Sequence, residues 1–435
     1  MGFDAIWISP IKICSVQNIE GDTDSGYAYH GYWTNDPFEL NSHFGTADDL
    51  LSLSDAVHAR NMSIMLDVVI NHFASNTDSS SVDYSAYPSP FNTASAFHQP
   101  PCSIDYSNQT SAQYCWLVVS PAPSLPDIDT EDTDTLNPIV DSVVTLVETY
   151  SFDGIRLDTV KQLPPAALSA FQSAVGVMVT GENYDTSISY VASYQSSLDS
   201  LVNYPLYWPL IDAFNSTSLG SLTEVSSTIS NEEYSFSDIN VLTTFLDNPD
   251  QPRFASVSND ITRDQNAITF TFLHSGIPVV YYGFEQRLTG LSDPDNRNSM
   301  WSSGYSTSST LYTYIHKLHS IRTAIAASDP DFFTTNSTVI GANDNYLALQ
   351  RGPVLFVVTN IGASAEDTGY TVPNSQWDQG TQVLDLINCE TATVGSEGGF
   401  ESGGGNGGLP RYLIGYNVDT VTKLWVVIVV VLEKG

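Results

Sequence analysis

The chain has 435 residues, of which 42% are hydrophobic, 11% aromatic and only 14% charged. That composition excludes a disordered chain and leaves room for one large domain plus a smaller one, since single cores rarely grow beyond about 250–300 residues. Forty-nine acidic residues against fourteen Lys and Arg give a formal net charge of −35, which excludes nucleic acid and anionic lipid surfaces as partners because phosphate is repelled.

The chain opens directly on a strand-like run at 4–10, with no secretory signal before it. Apolar runs rich in Val and Ile then alternate with helical periodicity up to about residue 328, the pattern of parallel βα units. Strands are predicted at 4–10, 63–71, 153–160, 177–182, 200–204, 241–247 and 277–283, and helices at 46–60, 136–150, 165–175, 261–273 and 311–327. One further unit would close an eight-stranded barrel. The expectation is therefore an α/β chain: a (β/α)8 TIM barrel over 1–330 that lacks its first strand and carries an unpaired edge there.

Residues 73–134, rich in Ser, Pro, Tyr and Asn, are too long for a simple connection and are predicted to form an inserted loop domain. Cys102 and Cys115 lie close together within it, so one local disulfide is expected, with Cys14 and Cys389 left over. Beyond the barrel, alternating segments at 346–351, 354–359 and 382–386 predict a C-terminal antiparallel β domain, a sandwich, over 331–417; a Gly-rich loop at 398–408 marks its close. The tail 418–435 contains the apolar run 424–432, far short of the ~20 residues that span a bilayer. A lipid-anchor signal and a buried strand both remain open for it. Sequons at Asn61, Asn108, Asn215 and Asn336, together with the expected disulfide, fit a secreted or cell-surface protein.

In a barrel of this kind the working residues stand at the C-terminal ends of strands. Asp158, Glu182 and Asp250 occupy such positions at three different strands. Each alone would pass for a helix cap; three together, with Arg156, Lys161, His72 and aromatics at the same rim, point to chemistry. Glycoside cleavage with retention needs one carboxylate as nucleophile and one carboxylic acid as proton donor about 5–5.5 Å apart, which neighbouring strand ends can supply. Arg156 precedes Asp158 by two residues, so strand alternation puts both on one face, where the guanidinium favours an ionised Asp158. Asp158 is thus the better nucleophile and Glu182 the better acid.

From about residue 2 to about residue 416 the segments resemble the α-amylase family of glycoside hydrolases, in particular its secreted fungal members. The matching blocks are Asp67-Val68-Val69-Ile70-Asn71-His72, Leu125-Pro126-Asp127-Ile128-Asp129, Gly154-Ile155-Arg156-Leu157-Asp158-Thr159-Val160-Lys161, Gly181-Glu182 and Phe245-Leu246-Asp247-Asn248-Pro249-Asp250. The resemblance implies Asp158 as nucleophile, Glu182 as general acid/base and Asp250 as the residue that grips and distorts the sugar, in an endo-acting, retaining attack on α-1,4-glucans such as starch. It also implies sugar contacts from His30, Tyr32, Trp33, His72, Arg156, Lys161, Asp293 and Arg297. A structural calcium ion (Ca2+) is implied at Asn71, Gln113, Asp129 and the main-chain carbonyl of Gln162, and a monomer is expected.

Four positions depart from the family pattern. Gln113 stands where the fungal members carry Glu, removing a negative charge from the calcium site. Gln162 and Pro249 each replace a His, and Ser25 replaces a stacking Tyr; such groups bind the transition state more tightly than the ground state, so their loss lowers turnover. Hydrolysis is the first expectation. Transglycosylation by a 4-α-glucanotransferase is the alternative, and glucan binding without turnover is a third reading.

Overall fold

In the computed structural model, residues 1–14, 28–364, 370–373, 375–396, 399–402 and 409–416 are described. Ser25, most of the Gly-rich loop and the apolar tail lie outside the described residues. The molecule divides into two compact units, residues 3–184 with 193–202, and residues 1–2, 185–192 and 203–435.

The first unit is built on a parallel five-stranded sheet. Its strands are β1 (Ala5–Ile8), β4 (Ser63–Val68), β5 (Gly154–Leu157), β6 (Met178–Gly181) and β7 (Ser200–Leu201), paired in that order. β2 (Lys12–Cys14) and β3 (Thr34–Leu40) form a separate antiparallel pair. β1 pairs only with β4 among the described residues. All four residues of β5 are buried, as expected of a parallel strand covered on both faces.

Helices α1 (Ala47–His58), α2 (Gln109–Tyr114), α3 (Thr133–Tyr150) and α4 (Pro165–Val175) belong to this unit. Local chemistry sets their ends. Thr46 and Asp49 form a reciprocal capping box on α1, Asp132 caps α3, and α4 begins on Pro165 and stops at Gly176 in the left-handed region.

Residues 73–134 contribute no strand. They are tied down by isolated bridges, His72 to Asp127, Ser75 to Ser124, Phe97 to Ile128 and Ser103 to Trp116. A buried aromatic cluster of Phe73, Tyr87, Phe91 and Phe97 fills their centre, and the expected disulfide joins Cys102 to Cys115.

In the second unit β8 (Thr243–Thr244) pairs in parallel with β9 (Ile277–Pro278). Around them lie α5 (Ile188–Ser193, all but its last residue), α6 (Tyr204–Phe214), α7 (Leu222–Ser235), α8 (Phe254–Val257), α9 (Ile261–Leu273) and α10 (Thr310–Ser328). The apolar run at 241–247 keeps only a short ladder, because the chain bends away beyond Thr244 into the loop that carries Asp250. Likewise the run predicted at 200–204 is strand only to Leu201. Asn203 caps α6 through the Leu206 amide, and Pro205 favours the first helical turn.

The rest of this unit is antiparallel. Strands β10 (Thr338–Ala342), β11 (Tyr346–Arg351), β12 (Val354–Thr359), β13 (Tyr370–Val372), β14 (Gln382–Asp385), β15 (Glu390–Thr393), β16 (Phe400–Ser402) and β17 (Arg411–Tyr416) follow in sequence. A six-stranded sheet has the order β10-β11-β12-β17-β14-β15, and β13 pairs with β16. Alternate residues Tyr346, Ala348, Leu355, Val357, Val383 and Leu413 form its core with Val372 and Val394. Buried Arg351 joins this sheet to α9, donating to the His274 carbonyl at 2.7 Å. No helix among the described residues is long and apolar enough to cross a membrane.

Candidate active site

The register of the first unit's sheet brings three carboxylates to one guanidinium. Asp67 on β4 is the direct ladder partner of Arg156 on β5, and Leu157 is that of Gly181. The ladder runs one step past the strands: the Asp158 amide donates to the Val68 carbonyl and the Glu182 amide to the Leu157 carbonyl, both at 2.9 Å. Gly181 sits against Leu198, Val160 and Leu201 with no room for a Cβ, which lets the backbone bearing Glu182 lie close to its neighbours. Thr159 turns the chain immediately after Asp158 with a left-handed φ of 52°.

Arg156 Nη1 lies 2.6 Å from Asp158 Oδ1 and 3.0 Å from Asp67 Oδ1, while Nη2 lies 2.6 Å from Glu182 Oε1. The other Asp67 oxygen accepts the Tyr32 hydroxyl at 2.7 Å and the Trp7 indole N–H at 3.1 Å. All four ionisable groups are buried. Burial pushes the Asp67 carboxyl up to about 6 against the pull of Arg156 and Tyr32. Burial also works against a charged Arg156, but Asp67, Glu182 and Asp158 together hold it well above its ordinary value. The cluster is thus one fixed cation shared by three acids, with a hydrogen-bonded floor of Tyr32 and Trp7.

Other predicted sugar contacts lie near by in the same unit. His72 is buried, which lowers it to about 4; its neutral ring donates from Nε2 to the Tyr32 carbonyl at 3.2 Å. His30 accepts the Tyr32 amide on Nδ1 and meets the Trp33 ring edge-on at a centroid distance of 4.6 Å. The Lys161 ammonium stands 5.2 Å from the centre of the exposed Tyr106 ring.

Asp250, Asp293 and Arg297 come together in the second unit. Arg297 Nη2 donates to Asp250 at 3.0 Å and its Nε to the Pro249 carbonyl at 3.0 Å, with Asp293 3.5 Å away. Asn296 donates to the carbonyls of Pro249 and Gln251, and the Asp250 amide donates to Asn248. The loop is rigidly hydrogen-bonded, yet the Asp250 side chain is 46% exposed.

The four positions expected to hold a metal fall in the first unit as two pairs. The Ile128 amide donates to the Asn71 carbonyl at 2.8 Å, which sets Asn71 beside the segment ending at Asp129. On α2, Gln113 directs its amide nitrogen toward the Leu163 carbonyl at 3.5 Å, one residue beyond Gln162. The ring of Tyr114, next to Gln113, packs on His98 at 4.6 Å between centroids. His98 Nδ1 donates to Asp127 at 2.7 Å and Nε2 to Glu131 at 3.1 Å, with Asp129 at 3.6 Å. Burial opposes a charge on His98, but those bonds outweigh it and raise the ring to about 9. Burial pushes Asp127 up as well, to about 7, although His98 and Asn71 both donate to it. With carboxylates on both ring nitrogens, the imidazolium is the form the geometry requires.

Asp67, Trp7, His98, Asp127 and Glu131 were given no role from sequence. An acid inside the otherwise apolar run 64–70 was the available signal for Asp67, since such a residue must be paired. For His98 and Glu131 there was none, because their meeting depends on how the 73–134 segment folds.

Known proteins resemble this chain over most of its length. The model of the α-amylase catalytic domain matches residues 1–350, and that of α-amylase domain C matches residues 339–420. Alpha-amylase 1 of Schwanniomyces occidentalis is 40% identical over 94% of this chain and 79% of its own length. An α-amylase of Saccharomycopsis fibuligera is 40% identical over 91% of this chain and 79% of its own. The structure of an α-amylase from Malbranchea cinnamomea superposes with a TM-score of 0.90 at 41% identity, covering 95% of this chain and 86% of that one. The chain is an enzyme of the α-amylase type and belongs to the α-amylase family of glycoside hydrolases.

Proposed function

We propose that this enzyme hydrolyses internal α-1,4-glucosidic bonds of starch-like glucans with retention of configuration. The observation that carries the reading is the bridge from one guanidinium to both Asp158 and Glu182. It holds two carboxyl groups at adjacent strand ends close together, as a double-displacement reaction on one bond demands. Asp158 attacks the anomeric carbon while Glu182 gives its proton to the departing glycosidic oxygen, leaving a glycosyl ester on Asp158. Glu182, now a carboxylate, takes a proton from water, and that water displaces the ester and restores Asp158.

Arg156, by spanning both groups, ties the nucleophile's orientation to that of the acid. Asp250, accessible and anchored by Arg297, is assigned the grip on sugar hydroxyls; His30, Tyr32, Trp33, His72, Lys161 and Asp293 are assigned the remaining sugar contacts. The relatives at about 40% identity are named α-amylases, which supports hydrolysis over glucanosyl transfer and over binding alone, despite Gln162 and Pro249. Incubation with maltoheptaose tests this: only shorter products are expected, and longer ones would overturn it in favour of transfer. Glu182→Gln should lower kcat by on the order of 10⁴-fold or more while leaving glucan binding measurable; retained turnover would remove the acid/base assignment.

A calcium ion fits the first unit. Asn71, Gln113, Asp129 and the Gln162 carbonyl offer only oxygen donors, the set a hard cation prefers, and they stand on segments that already touch through Ile128 and Leu163. The ion would cross-link the 73–134 segment to the loops after β4 and β5. The disulfide and the sequons support secretion.

A further inference from the structure

Asp250 stands on a loop whose ends are pinned. The Phe254 amide donates to Asp247 Oδ2 at 3.1 Å, which closes the loop on itself. The Arg253 amide donates to the Gly290 carbonyl at 2.8 Å, which ties the loop to the segment after β9. The Arg253 side chain repeats that second tie. Its Nη1 donates to the Tyr282 carbonyl, and its guanidinium lies 4.0 Å from the centre of the Tyr281 ring and 4.7 Å from that of Tyr282. The two rings meet edge-on at 4.6 Å between centroids. Burial raises the Tyr281 hydroxyl, and the charges of Arg253 and Arg297 both oppose the rise, so both arginines act on this one ring. Arg297 in turn donates to Asp250 at 3.0 Å. Two routes therefore lead from Arg253 to Asp250, one along the chain and one through Tyr281 and Arg297.

Arg253 is fully buried, yet its Nε and Nη2 have no hydrogen-bond partner among the described residues. Burial pushes Asp247 up to about 7, against the pull of the Phe254 amide and the Arg253 charge. Packing alone does not account for such a residue. An apolar chain of similar length would cover the same rings without burying donors unpaired. What it would not do is hold the Tyr282 carbonyl and two tyrosine rings at once, which the planar guanidinium does. We propose that Arg253 is the positioning residue for Asp250: it fixes the loop so that the carboxylate meets the distorted sugar, and it touches no sugar itself. A group that must meet a reacting sugar is sensitive to such support, since a shift of about 1 Å can cost on the order of 10²-fold in rate.

This inference rests on the role proposed above for Asp250, and a double-mutant cycle separates the two. Steady-state kinetics on maltoheptaose is measured for the full chain as wild type, Arg253→Lys, Asp250→Asn and the double variant, each at a temperature where its unfolding curve shows it folded. Lysine keeps the charge but loses the planar fork. Arg253→Lys is expected to lower kcat and kcat/KM together by about tenfold or more. In the Asp250→Asn background it should add less than about twofold. Arg351→Lys is the control for loosening alone, because that buried arginine serves the C-terminal sheet and α9; its kcat should stay within about twofold of wild type. Should Arg253→Lys not fold, Tyr282→Ala takes its place in the cycle. That residue is 41% exposed, and loss of its ring from the guanidinium should lower kcat about threefold, again only where Asp250 is present. If Asp250→Asn lowers kcat but the Arg253 variant or its substitute leaves it unchanged, lowers it by the same factor in both backgrounds, or is matched by Arg351→Lys, the proposal is wrong. If Asp250→Asn itself keeps the wild-type kcat, the role given to Asp250 fails and takes the proposal with it.

Discussion

Two arginine–carboxylate groups serve the proposed reaction, and they are built in opposite ways. Arg156 is buried among Asp67, Asp158 and Glu182, so every charge in that cluster depends on the others. Arg297 holds Asp250 in a loop where the carboxylate is nearly half exposed, and water screens the pair. The difference matches the work assigned to each. A nucleophile and a proton donor must be fixed relative to one another, whereas a residue that grips a flexible sugar must be reachable. Burial supplies the first and costs desolvation; a hydrogen-bonded surface loop supplies the second at little electrostatic cost.

Removing the central cation is the harshest way to break this contrast. Arg156→Leu leaves three buried acids without a counter-charge and should destabilise the fold by about 3–5 kcal/mol, as well as abolishing turnover. Denaturant unfolding at pH 7 measures it. The loss should shrink as pH falls and the carboxyl groups are protonated. A loss below about 1 kcal/mol at pH 7 would mean that water, not Arg156, solvates these acids.

Glu232 on α7 sharpens the point, because it is a buried acid that no cation pairs among the described residues. Among the described residues its carboxylate accepts one hydrogen bond, from the Asn203 amide at 3.3 Å, and burial pushes it up to about 8. The sign follows from linkage. A raised carboxyl favours folding most below its unfolded value near 4.3, and that contribution is lost as pH rises through about 8. Glu232→Gln mimics the protonated form. It should leave Tm unchanged at pH 4 and raise stability by a few kcal/mol at pH 8. Thermal unfolding at the two values checks this; equal effects at both would show that Glu232 is solvated in the folded state.

These contrasts also explain how much could be read from sequence. The βα alternation, the C-terminal antiparallel sheet and the disulfide follow from periodicity, turn chemistry and cysteine spacing, all local signals. Asp158 and Glu182 were legible because they close apolar runs, and Arg156 because alternation places it with Asp158. Helix α6 was not, since Tyr204-Pro205-Leu206-Tyr207-Trp208-Pro209 reads as neither clear helix nor strand until Asn203 is seen capping it. Asp67 was hidden in plain view by the strand around it. The His98–Asp127–Glu131 group was beyond reach, because Phe73, Phe91 and Phe97 decide the path of the 73–134 segment by packing that no short-range pattern encodes.

Arg297→Ala is the mildest break and the best test of whether the second arginine group is for binding. An ion pair whose carboxylate is nearly half exposed is screened by water and contributes about 1 kcal/mol or less, and the Asn296 bonds to Pro249 and Gln251 remain to hold the loop, so Tm should move little. What Asp250 loses is its orientation. If it contacts sugar hydroxyls in ground state and transition state alike, KM rises with kcat nearly constant; if it grips only the distorted sugar, kcat and kcat/KM fall together, by on the order of 10²-fold. The assigned role in distortion predicts the second pattern. Steady-state kinetics on soluble maltooligosaccharides distinguishes them, and a variant with both constants unchanged would leave Asp250 with no part in catalysis that depends on Arg297.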